Sequence, residues 1–188
     1  MFSLLKSILE AGVKMVQLRD KVSCRREVIK EAAAMRKITS LYKALFIVND
    51  FIDVALISQA DGVHIGKEDP PLAVVKPLLK EDMLIGVTCR NLREALIAQE
   101  NGASYVGVGP AFYTTTKRKL PPPLGVNRIS RIQQKINIPL FAIGGIDQED
   151  KVRLLKDAAI RRIAVCSVIA DSSSIKKTVG DFSQILGY

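Results

Sequence analysis

The sequence predicts an α/β fold, a TIM (β/α)8-type barrel lacking its first strand. Three observations predict it. Short apolar runs alternate with amphipathic stretches along the 188 residues, and such alternation specifies a parallel sheet with right-handed crossovers. Seven of the runs read as strands and the sequence opens on a helix, so the strand short of eight is the first. The last two runs, residues 139–146 and 162–168, end in a glycine pair and in a serine. Loops after the final two strands of such barrels commonly hold phosphate.

The elements follow in order. Phe2, Leu5, Ile8 and Leu9 share one face of a first helix. Residues 13–18 form a strand. Residues 25–41 form a helix with Val28, Ile29, Ala32, Met35 and Ile38 on one face. Then come a strand at 44–48, a short helix at 51–58 and a strand at 62–66. Pro70 and Pro71 open a helix that runs through 79, because proline suits a first turn. Residues 84–88 are a strand, 92–100 a helix and 105–109 a strand. A long polar loop covers 111–125 and includes three consecutive prolines, Pro121, Pro122 and Pro123. A helix at 129–136 precedes the strand at 139–146. A helix at 148–157 separates that strand from 162–168, and a helix near 174–186 ends the sequence. No internal stretch reads as a linker, so residues 1–188 are expected to form a single barrel domain. The gap at the first strand leaves three outcomes: direct closure of the flanking strands, a homo-oligomer that fills the gap, or a strand encoded upstream of Met1.

Composition narrows the function classes. Hydrophobic residues make up 48% and charged residues 25%, an ordinary globular mix. The absence of an 18-residue apolar run speaks against a membrane span, and the first ten residues carry no secretory cleavage pattern. Cys24, Cys89 and Cys166 lack metal-ligand spacing and read as reduced thiols of a cytoplasmic protein. The net charge is +9, but the basic residues are scattered and tryptophan is absent, which argues against a nucleic-acid partner. Solvated helix faces explain such a surplus. A basic mouth that attracts small phosphorylated substrates explains it too.

The strand ends hold the candidate chemistry. Gln17, Arg19 and Lys21 point to one side of an extended segment, and an amide with two cations suits a pyrophosphate. Asp50 and Asp69 end neighbouring strands and suit Mg2+, which takes one or two carboxylates alongside water and phosphate oxygens. Asp69 just before Pro70 also suits a helix cap. His64, the sole histidine, lies in an apolar strand and reads as a packed core residue. The hydroxyls of Thr114, Thr115 and Thr116 with the Lys117 ammonium suit a substrate clamp. Gly144 and Gly145 allow close backbone approach to an anion.

Taken together the motifs resemble the thiamine phosphate synthase family. They are Val-Gln-Leu-Arg-Asp-Lys at 16–21, Val-Asn-Asp at 48–50, Ala-Asp-Gly-Val-His-Ile-Gly-Lys-Glu-Asp at 60–69, Gly-Val-Thr at 86–88, Tyr-Val-Gly-Val-Gly-Pro at 105–110, Thr-Thr-Thr-Lys at 114–117, Ala-Ile-Gly-Gly-Ile at 142–146 and Ala-Val-Cys-Ser at 164–167. The resemblance implies condensation of hydroxymethylpyrimidine pyrophosphate with thiazole phosphate to thiamine phosphate and pyrophosphate. It implies that Gln17, Leu18, Arg19, Asp20, Lys21, Asn49, Thr88 and Lys117 hold the pyrimidine substrate, with Arg19, Lys21 and Lys117 assisting catalysis. Asp50 and Asp69 would bind Mg2+. Thr114, Thr115, Thr116, Gly145, Cys166 and Ser167 would hold the thiazole phosphate. Phe51, Lys67 and the turn at 159–162 depart from the family pattern. Two alternatives accompany this reading: a related thiazole tautomerase, against which Arg90 counts, and an inactive paralogue that binds thiamine precursors.

Overall fold

Apolar runs long enough for one buried strand, each followed by an amphipathic helix, are what the chain folds into. The computed structural model describes residues 2–114 and 121–188. They form two compact units, residues 1–87 and 88–188.

The first unit contains α1 (Phe2–Glu10), β1 (Met15–Leu18), α2 (Arg25–Leu41), β2 (Leu45–Asn49), α3 (Ile52–Ile57), β3 (Gly62–Ile65), α4 (Leu72–Val75), a 3-10 turn (Lys76–Leu78) and most of β4 (Leu84–Cys89). Its strands pair in parallel and in sequence order. Leu18 stands opposite Val48, Asn49 opposite His64, and Ile65 opposite Val87. Phe46, Ile47 and Val48 are wholly buried, as expected of an inner parallel strand covered on both faces. Val28, Ala32, Met35 and Thr39 of α2 are buried at helical spacing, so the helix turns one stripe to the core. Gly62 is required by close packing: a Cβ there would lie 2.8 Å from the Leu84 Cβ.

The second unit holds the end of β4, α5 (Leu92–Glu100), β5 (Tyr105–Val108), α6 (Val126–Gln133), β6 (Leu140–Ile143), α7 (Glu149–Asp157), β7 (Ile163–Ala164), α8 (Ser167–Ala170) and α9 (Ile175–Leu186). β5, β6 and β7 again pair in parallel, with Val106 opposite Leu140 and Ile143 opposite Ala164. Asn91 caps α5 by accepting the Glu94 N–H at 2.8 Å. Tyr105 and Phe141 meet edge to face at 5.4 Å. Val152 and Leu155 of α7 and Val179, Phe182 and Ile185 of α9 are buried.

Most elements are shorter than or shifted from the sequence reading by one to three residues at an end, and three differences have a physical reason. The helix expected through 79 breaks after Val75 into a 3-10 turn, because Pro77 has no N–H to donate. The strand expected over 162–168 is two residues long, and Ser167 instead starts α8. α6 starts at Val126 rather than at 129, straight after Gly125 at φ +75°.

Candidate functional site

The strand ends of the first unit gather one set of charged groups. Along the end of β1 burial alternates: Gln17, Arg19 and Lys21 are exposed and Leu18 is buried. β1 itself ends at Leu18, so Arg19 and Lys21 lie in the loop that follows it. The Asp20 carboxylate accepts the N–H groups of Val22 at 2.7 Å and Ser23 at 3.0 Å, and hydrogen bonds from Ser23 and then Val22 hold it below the usual carboxylate range. It fixes the turn that delivers Lys21.

Lys21 forms an ion pair with Asp50, whose side chain is only 9% exposed. Asp50 follows Asn49 at φ +64°, a left-handed conformation that Asp and Asn adopt more readily than other side chains. Its N–H donates to the His64 carbonyl at 2.8 Å, which ties the end of β2 to β3. Asp69 does not cap α4, whose first flanking residue is Pro71. Its carboxylate folds back to accept the Gly66 N–H at 2.6 Å. His64 is 6% exposed. Burial lowers its pKa to about 4, and the charge of Asp69 opposes that shift. The imidazole is thus neutral at pH 7, as expected of a core histidine.

Among the described residues no three metal-ligating side chains form a group. Asp50 and Asp69 supply two hard oxygen donors from adjoining strand ends, one of them nearly buried with a lysine as its ion-pair partner. By chemistry, two carboxylates suit Mg2+ completed by other oxygen donors rather than a closed all-protein cage.

The strand ends of the second unit gather a different set. Thr88 is half-buried near the end of β4. Beside it burial, and then Glu94, push the Cys89 thiol up to about 12, so it stays protonated and inert. After β6, Gly144 and Gly145 lie at φ +88° and +70°. The chain between β5 and α6 packs on this turn: Ala111 donates to the Ile143 carbonyl at 2.8 Å and Phe112 to that of Gly144 at 3.1 Å. A Cβ on Gly145 would run into the Tyr113 carbonyl. The second glycine is therefore needed for backbone packing as well as for any anion. Lys151 of α7 donates to the Gly145 carbonyl at 3.0 Å and to Asp147 at 2.6 Å, and its ammonium lies 5.4 Å from the Phe112 ring. Gly144 and Gly145 are themselves half-buried. Cys166 and Ser167 are exposed where β7 gives way to α8. Thr114 is half-buried at the edge of the described segment, whereas Thr115, Thr116 and Lys117 lie outside the described residues.

Sequence reasoning missed two contributors. Arg25 stacks on Phe51 and Lys151 pins Gly145. A basic residue at the start of a helix is too common to flag either.

The family model described as thiamine monophosphate synthase matches residues 1–169. The thiamine-phosphate synthase of Dictyoglomus thermophilum is 40% identical over 184 residues, which cover 97% of this chain and 82% of that protein. That of Shouchella clausii is 40% identical over 172 residues, 92% of this chain and 82% of that one. The solved thiamine phosphate pyrophosphorylase from Pyrococcus furiosus superposes with a TM-score of 0.88 at 33% identity, covering 98% of this chain and 88% of the other. The seven-stranded α/β architecture is therefore of TIM-barrel type.

Proposed function

The chain belongs to the thiamine monophosphate synthase family, and on that premise we propose that it condenses hydroxymethylpyrimidine pyrophosphate with thiazole phosphate, as a transferase. The observation that carries the reading is the grouping of Lys21, Asp50 and the exposed Gln17 and Arg19 at adjoining strand ends of the first unit. In this reaction the bond between the pyrimidine methylene and the pyrophosphate oxygen breaks, and the oxygen keeps the electron pair. The thiazole nitrogen then donates its lone pair to the methylene carbon.

No general base is required. The barrier is lowered by stabilising charge on the departing pyrophosphate. Arg19 and Lys21 face it, with Gln17 and Asn49 orienting the substrate. Asp50 and Asp69 would hold Mg2+, which when bound neutralises phosphate charge. In the second unit the N–H groups of Gly144 and Gly145, with Ser167, receive the phosphate of the thiazole. Thr88, Thr114, Thr115, Thr116 and Lys117 remain assigned to the substrates by family resemblance. Both substrates are small, polar and phosphorylated, which suits a cytoplasmic enzyme. No helix among the described residues is long and apolar enough to cross a membrane.

Asp50→Asn tests the reading. Asn has the same shape and tolerates the same left-handed backbone, so the fold survives. Loss of the carboxylate should cut turnover by roughly 10²-fold or more and shift the Mg2+ requirement upward. Wild-type turnover with an unchanged Mg2+ titration would sink the assignment.

A further inference from the structure

We infer that Arg25 is a further pyrophosphate-binding cation, held in place by the Phe51 ring, and that the pair favours diphosphates over monophosphates; this rests on reading the first unit as the pyrophosphate half-site. The guanidinium carbon of Arg25 lies 3.6 Å from the Phe51 ring centroid, well inside the ~6 Å reach of a cation–π contact. The Lys21 ammonium lies 5.9 Å from the same centroid. Two cations therefore share one ring. That ring directly follows Asp50, the partner of Lys21.

The other partner of Arg25 is weak. Its Nη1 lies 3.4 Å from Asp53, and both side chains are about half exposed, at 46% and 54%. So exposed a pair stabilises little in water and does not account for the placement of the guanidinium. The ring does. Phe51 immediately precedes α3 and Arg25 begins α2, so each end of the contact is anchored on a helix start.

Stacking occupies the face of the guanidinium and leaves its in-plane N–H groups at the rim, where the exposed Asp53 carboxylate competes for one of them. A guanidinium fork grips two oxygens of one phosphoryl group, whereas an ammonium acts as a point charge. With both cations on one ring, a ligand with two linked phosphoryl groups meets both. A monophosphate engages one of them.

The test is calorimetric binding of inorganic pyrophosphate and of inorganic phosphate, each with Mg2+, to the whole chain and four variants. Arg25→Met should weaken pyrophosphate binding about tenfold and leave phosphate binding nearly unchanged. Phe51→Leu should give a smaller loss, about threefold, and Phe51→Tyr should retain wild-type affinity. Arg25→Lys should recover only part of the loss, because it restores charge without the fork. In turnover, Arg25→Met should raise KM for the pyrimidine pyrophosphate and leave KM for the thiazole phosphate and kcat in place. Thermal unfolding of each variant reports whether the fold is intact. If Arg25→Met and Phe51→Leu bind pyrophosphate as the wild type does while the wild type turns over, this inference falls and the family reading stands. If the wild type neither binds pyrophosphate nor turns over, both fall.

Discussion

His64 shows how one side chain couples the fold to pH. Its neighbours on β3, Val63 and Ile65, are buried with it, and burial holds its folded pKa at about 4, against ~6.5 in an unfolded chain. Between these values the unfolded chain binds a proton that the native protein refuses. Stability is therefore complete above pH 6.5 and falls as pH drops toward 4. From pH 7 to pH 5 the loss from this one group should be about 2 kcal/mol. It is the only histidine, so no other histidine contributes in that window. Urea unfolding at both pH values, with EDTA present to remove free metal ions, measures the difference. A wild-type stability that is flat from pH 7 to 5 would contradict the buried neutral imidazole. At the same scale the sequence made His64 legible as core because apolar residues flank it. It did not make Arg25 or Lys151 legible. The partner of Arg25 lies 26 positions away, and Lys151 acts on a backbone carbonyl, for which no side-chain pattern exists.

Among the elements, the turn after β6 is the one whose sequence and geometry constrain each other most. Gly145 combines a positive φ with backbone from 112–113 where a Cβ would go, so Ala there is strained twice over. Gly180, in the middle of α9, has open space within 4 Å of where a Cβ would stand, and ordinary helical geometry. Gly145→Ala should destabilise by roughly 1–3 kcal/mol, and Gly180→Ala should stabilise by roughly 0.5–1 kcal/mol. Denaturant midpoints of the two variants check both signs at once; equal shifts in one direction would refute the distinction. Legibility at this scale followed local chemistry. Strand positions were readable because inner parallel strands are continuous apolar runs, as at Phe46–Val48. The break at Pro77 was visible in the sequence yet outweighed by the Pro70-Pro71 start signal. α8 was not visible, since Val168, Ile169 and Ala170 prolong the apolar run of β7 and a four-residue helix has no period to detect.

At the scale of the whole molecule the relevant quantity is charge. Lys and Arg number 28 against 19 Asp and Glu, and half of the ion pairs found among the described residues are i,i+4 pairs along one helix. Such pairs contribute only a few tenths of a kcal/mol each, so the surplus of nine cations is not explained by stability. Two explanations compete: solvated faces, or a field that draws in phosphorylated substrates. They differ in rate. A field acts on encounter, and it is screened over ~10 Å at 0.1 M salt and over longer distances at lower salt. If it acts, kcat/KM for the pyrimidine pyrophosphate should fall about tenfold from ~10 mM to ~300 mM salt at fixed free Mg2+. kcat at saturating substrate should stay level, because bound substrate no longer depends on encounter. Arg25→Met should keep the same slope from a lower starting value, since it removes one contact and leaves eight of the nine surplus charges. The measurement is a salt series of initial rates for both proteins. A kcat/KM that ignores salt would assign the surplus to solvated helix faces, and recognition of the anions would then rest wholly on the short-range groups at the strand ends.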